Sequence, residues 1–107
     1  MLHVLSLEYR VPEDRAAPHV AAHVRFLERY HRAGTFLVSG QTVPSSQGGV
    51  ILARGVDRAE AERIAAEDPF VREGVARYTV TTVTPGRVHP ALAELLGAGS
   101  ERIRPEG

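Results

Sequence analysis

Apolar residues along the chain follow two periods, and the changes between them mark the predicted elements. Leu2 to Tyr9 is rich in Leu and Val without a helical repeat and stops at Val11-Pro12-Glu13-Asp14, which predicts a strand and a turn. From Ala16 the pattern becomes helical: Pro18 sits in the first turn, Val20, Val24 and Leu27 recur on one side, and Gly34 is the stop. Thr35 to Ser39 and Val50 to Ala53 are β-rich and flank a loop of Gln, Ser, Pro and Gly residues, which predicts a hairpin. Asp57 followed by Glu60 has the form of a capping box, and the Ala-rich stretch beyond it predicts a second helix ending near Asp68, before Pro69. Val75 to Val83 reads as a fourth strand, closed by Pro85-Gly86.

The order β-α-β-β-α-β is the split βαβ arrangement: right-handed crossovers place both helices on one face of a four-stranded antiparallel sheet. The expected class is therefore α+β, ferredoxin-like. Residues 1–86 form the predicted domain, and 87–107 form a C-terminal extension with a short helix over Pro90 to Leu96 and a frayed end from Gly99. In strand one, Leu5, Leu7 and Tyr9 point one way and Leu2 and Val4 the other; in strand two, Phe36 and Val38 oppose Leu37. Both faces are apolar, whereas a sheet covered on one side only should alternate clearly. The uncovered face is expected to bury itself against a second copy, giving a homodimer through the sheets.

Composition narrows the function classes. Thirteen basic residues balance thirteen acidic ones, so the field that tracks phosphate backbones or anionic membranes is missing, and neither nucleic acid nor membrane is an expected partner. With no Cys, disulfides, thiolate metal sites and cysteine nucleophiles are excluded. The apolar runs are far shorter than the roughly 20 residues of a membrane span, and the first residues lack the pattern of a signal peptide, which predicts a cytoplasmic protein.

His23 is the first residue to weigh for chemistry. At ~100° per residue it falls between Phe26 and Val24 on the helix face turned to the sheet. An imidazole there needs a hydrogen-bond partner, since an unsatisfied one costs about 1 to 3 kcal/mol. Asp68, at the end of helix two, is the best candidate. The pair has two readings: a structural contact that joins the helices, or a catalytic imidazole oriented by a carboxylate. His19 and His23 stand at i, i+4, a spacing that can serve zinc, but Val20 occupies the position of a zincin glutamate and no third ligand is identifiable, so no metal is expected. His31 reads as a rim residue, while His3 and His89 have no context that singles them out. The glycines form no phosphate loop, and Ser39, without a GxSxG elbow, reads as a hydroxyl on a pocket wall rather than a nucleophile.

His23-Val24-Arg25-Phe26-Leu27, Ala33-Gly34, Ser39-Gly40 and Asp68-Pro69-Phe70 occur in the order and spacing found in YciI-like proteins, and from Leu2 to Val83 the chain resembles that family, the YCII-related domain. The resemblance implies a ferredoxin-like unit that dimerises into an α+β barrel. It also implies a pocket with a histidine and an aspartate, which fall on His23 and Asp68, and with the strand-two Gly40 in its lining. Ser39, Gly40, Pro69 and Phe70 are then the expected substrate-binding residues. The chain departs from the family pattern where Gln41 follows Gly40, a place where Gly-Pro is common, and in having no Trp after strand four. Some YciI-like proteins resemble dehydrochlorinases or lactone isomerases acting on ring compounds. The expected function is a cofactor-free enzyme of the lyase or isomerase type that moves a proton on a small organic molecule with His23 and Asp68. Its rival is a non-catalytic ligand-binding or interaction module on the same fold.

Overall fold

The structure, a computed structural model, describes residues 1–96. Four antiparallel strands, β1 (Leu2–Tyr9), β2 (Phe36–Gln41), β3 (Gly49–Arg54) and β4 (Ala76–Val83), form one sheet in the order β2-β3-β1-β4. Helices α1 (Val20–Arg32), α2 (Arg58–Ala65) and the single turn α3 (Pro69–Arg72) complete the ferredoxin-like α+β unit expected from the sequence. No helix among the described residues is long and apolar enough to cross a membrane. The frayed end expected from Gly99 onward lies outside the described residues.

The core lies between the helices and one face of the sheet. Leu5, Ile51, Ala53 and Val80 from the strands meet Phe26 of α1 and Ala61, Ile64 and Ala65 of α2. A second cluster of Leu7, Ala16, Phe70, Val75 and Ala76 packs beside it at the other end of β1 and β4. Burying the Leu, Ile, Val and Phe side chains among them contributes about 1.5 to 3 kcal/mol each, so the helix-bearing face holds the unit together. Asp57 caps α2 as its spacing predicts: its carboxylate accepts from the backbone N–H of Glu60 at 2.8 Å.

Four local expectations change. The first helix begins at Val20 rather than Ala16, because Pro18 offers no N–H to an α ladder and Glu13–His19 winds instead as 3-10 turns. Helix two ends at Ala65, and Asp68, instead of closing it, opens α3. Val38 does not share the inner face with Phe36: a β-bulge shifts the register between them, so Phe36 is buried, Val38 is 55% exposed on the outer face, and Ser39 pairs with inward-facing Ile51. The helix expected over Pro90 to Leu96 reduces to a 3-10 turn at Pro90–Leu92, followed by turns that bring Leu96 to a buried position.

Two glycines of the β2-β3 hairpin lie so close to neighbouring backbone, one to β1 and one to β2, that a Cβ has no room. At Gly48, where φ is +123°, a Cβ would stand 1.9 Å from the carbonyl oxygen of Leu7, and at Gly49 it would stand 2.8 Å from that of Gly40.

His3 is wholly buried on the inner face of β1. Its Nε2–H donates to the carbonyl of Val56 at 2.7 Å, which sets the tautomer and leaves Nδ1 to accept from the Thr82 hydroxyl at 3.0 Å. It ties the loop before α2 to the last strand. His3→Leu deprives both groups of their partner and should cost about 1 to 3 kcal/mol, read as a lower urea midpoint at unchanged slope. An unchanged midpoint would mean that these bonds contribute nothing.

Candidate functional site

Asp68 stands where the chain leaves the turn after α2. Pro69 restricts it to extended geometry, and it caps α3 by accepting from the backbone N–H of Phe70 at 2.9 Å. The side chain has no exposed surface. A carboxylate buried to that degree requires several donors, and two more arrive from other elements. Nδ1 of His23, on α1, lies 2.9 Å from each carboxylate oxygen, and the Tyr78 hydroxyl, on β4, donates to Oδ2 at 2.6 Å. Tyr78 has its inward direction from the alternation that also turns Ala76 and Val80 to the core.

Because a carboxylate accepts only, the proton of neutral His23 resides on Nδ1 and the lone pair on Nε2. No described residue bonds Nε2. The imidazole lies flat on the Phe70 ring, with centroids 4.0 Å apart and planes 4° from parallel, and its side chain is 16% exposed. Asp68 and Phe70 together fix both the tautomer and the plane of the ring.

His23 faces a cavity of about 520 Å³ enclosed by β1, the 3-10 segment, α1, α3 and the β2-β3 hairpin. Leu7, Val20, Val24, Leu27 and Ile51 give it an apolar wall, while Tyr9, Glu13 and Asp14 bring polar groups. A cavity of this size with a few convergent polar groups has the form of a small-molecule site. Ser39, Gly40 and Phe70 belong to its lining; Pro69 does not, and acts instead as the first residue of α3. Ser39 Oγ shares a 2.8 Å hydrogen bond with Nε2 of His31, so the histidine read as a rim residue supports the pocket-wall hydroxyl. His19 does not join His23 in a metal site: among the described residues no three His, Asp or Glu side chains gather around a common point.

Tyr78 and Tyr9 escaped the sequence reading. The signal for Tyr78 was its parity: a phenol in an inward strand position needs an acceptor. Burial first, then the charge and hydrogen bond of Asp68, push the Tyr78 phenol far above its ordinary value of 10.0. Above pH 10 the unfolded chain releases this proton while the folded chain keeps it, so stability is present in full below that pH and is lost as pH rises through the folded-state value. From pH 10 to about 12, Tyr78→Phe should therefore remove up to about 1.4 kcal/mol per pH unit from the alkaline slope of unfolding free energy. Equal slopes in the two proteins would show that Tyr78 releases its proton equally readily folded and unfolded.

Comparison with known proteins agrees with this architecture. No curated protein sequence matches the chain. Among solved structures it is similar to 5-chloro-2-hydroxyhydroquinone dehydrochlorinase from Burkholderia phenoliruptrix AC1100, solved in complex with 2,5-dihydroxybenzoquinone. The TM-score is 0.67 at 20% identity over 80% of this chain and 96% of that one. At that identity the likeness is one of fold. The model of the YCII-related domain matches residues 1–84, which takes in every strand, every α-helix and the His23–Asp68 contact, and the chain belongs to that family.

Proposed function

We propose that the protein is a cytoplasmic, cofactor-free, homodimeric enzyme that eliminates from or isomerises a small ring compound, with His23 as general base and acid and Asp68 as the group that orients it. The observation that carries this reading is the Nε2, bonded by no described residue, of an imidazole held by a buried carboxylate at the wall of an open cavity. Nε2 takes a proton from an O–H or C–H of the substrate, and the imidazolium formed is stabilised by the carboxylate it already touches. The same nitrogen can then return the proton elsewhere on the molecule or lose it after a leaving group departs. A hydroxylated, halogen-bearing ring is the first substrate class to test, since the structural relative is named as a dehydrochlorinase of a chlorinated hydroxyhydroquinone.

The second reading, a ligand-binding module without catalysis, has its own support: three donors saturate Asp68, as they would in a purely structural contact. Turnover separates the two. With chlorinated hydroquinones as substrates, His23→Ala should lower kcat by about 10² to 10⁴, with Asp68→Asn lowering it in the same direction. Full turnover in both variants would overturn the catalytic assignment.

Self-association is supported by the outer face of the sheet. Val38, Val50 and Val83 lie exposed there, and Leu2, Val4 and Leu52 are half-buried between them, with α1 and α2 packed on the opposite face. In keeping with such a surface, light scattering should give twice the 11.6 kDa chain mass, and Val4→Glu with Leu52→Glu should return the monomer. A monomer at the wild-type sequence would rule out the dimer.

A further inference from the structure

The cavity contains two phenols with different fates. Tyr78 has committed its hydroxyl to Asp68. Tyr9, two residues beyond Leu7 on the inner face of β1, lines the cavity as well, but among the described residues no group accepts from its hydroxyl. Its ring centroid lies 6.1 Å from that of Phe70, the ring on which His23 is stacked, so Phe70 neighbours both Tyr9 and His23 in the cavity lining. Among the described residues, the other cavity-lining groups with donor hydrogens on their side chains are His23, Ser39, Gln41 and Tyr78, and no Arg is among them.

We infer that Tyr9 is a second catalytic residue, the hydrogen-bond donor that holds a substrate oxygen while His23 works on a proton of the same ring. The inference rests on the proposed role of His23 and specifies the substrate class further: a ring whose reacting carbon is conjugated to a carbonyl oxygen. Nε2 removes the proton, the electron pair left behind delocalises onto that oxygen, and the oxyanion receives the Tyr9 O–H as a hydrogen bond. Expulsion of a leaving group or reprotonation at another carbon restores the neutral oxygen. Tyr9 gives up no proton in this scheme and needs no partner in the empty site. Burial, with the Glu13 and Asp68 carboxylates adding to it, raises the phenol above its ordinary value and keeps it a donor.

The test uses para-nitrophenolate, a stable mimic of the oxyanion, and para-nitrotoluene, which has a methyl group in place of the oxygen. Tyr9→Phe should weaken para-nitrophenolate about tenfold or more, the usual effect of losing a hydrogen bond to a charged group, and leave para-nitrotoluene unchanged. Equal binding of para-nitrophenolate to wild type and Tyr9→Phe overturns the inference. So does a loss that is the same for both probes, which would make Tyr9 a packing residue, and so does failure of para-nitrophenolate to bind the wild type. Titration of His23→Ala separates this inference from the one beneath it. A Tyr9-dependent preference for the phenolate that persists in His23→Ala supports the donor role, even where turnover measurements remove His23 as the base.

Discussion

A carboxylate with no exposed surface sits at the centre of this molecule, and its need for donors organises what surrounds it. Taking such a charge out of water costs several kcal/mol even after relaxation, so Asp68 is tolerable only where donors converge. They come from three directions: the backbone of its own turn, a helix nearly half the chain away, and the last strand. Each donor is thereby fixed as well. The N–H of Phe70 is aligned by the start of α3, the imidazole of His23 is set in one tautomer, and the phenol of Tyr78 is locked inward. Charge-assisted hydrogen bonds of this kind are the strong ones, and these link α1, α3 and β4 where apolar packing is interrupted by a cavity.

In the proposed mechanism, structural and chemical roles fall on the same atoms. Asp68 cannot be removed without leaving Tyr78 and the first turn of α3 unsatisfied, and His23 cannot turn without losing either its carboxylate or its contact with Phe70. Preorganisation follows from this: a ring held by stacking on one side and by a buried anion at one nitrogen needs little rearrangement to present the other nitrogen. The cost of ordering the imidazole is met in folding rather than in each encounter with a ligand.

Much of this was legible in the sequence, for reasons that can be stated residue by residue. The order of elements followed from periodicity, Asp57 announced its cap through Glu60, and His23 with Asp68 could be paired because a sheet-facing imidazole and a carboxylate before proline each need a partner. What escaped depends on register across strands. His3 looked contextless because its partners, Val56 and Thr82, are 53 and 79 residues away and meet it only once β1 lies between β3 and β4. Tyr78 and Tyr9 were hidden for the same reason: whether a phenol is spent or free is decided by neighbours from other elements. Pro18 was read as a first-turn proline, and the 3-10 winding that its missing N–H favours is what brings Glu13 and Asp14 to the cavity.

The bulge between Phe36 and Val38 carries a consequence for how such a protein can change. One extra residue in an edge strand decides which side chains of β2 look inward, so it sets at a stroke that a hydroxyl, supported by His31, faces the cavity and that a valine joins the opposite surface. Flattening the bulge into a regular ladder, with the same residues in place, would exchange the two, placing an aliphatic group in the cavity wall and a polar one on the outer face. The interior lining and the exterior surface of this strand therefore form one inherited character, which substitutions can adjust piece by piece but a shift in register can only invert as a whole.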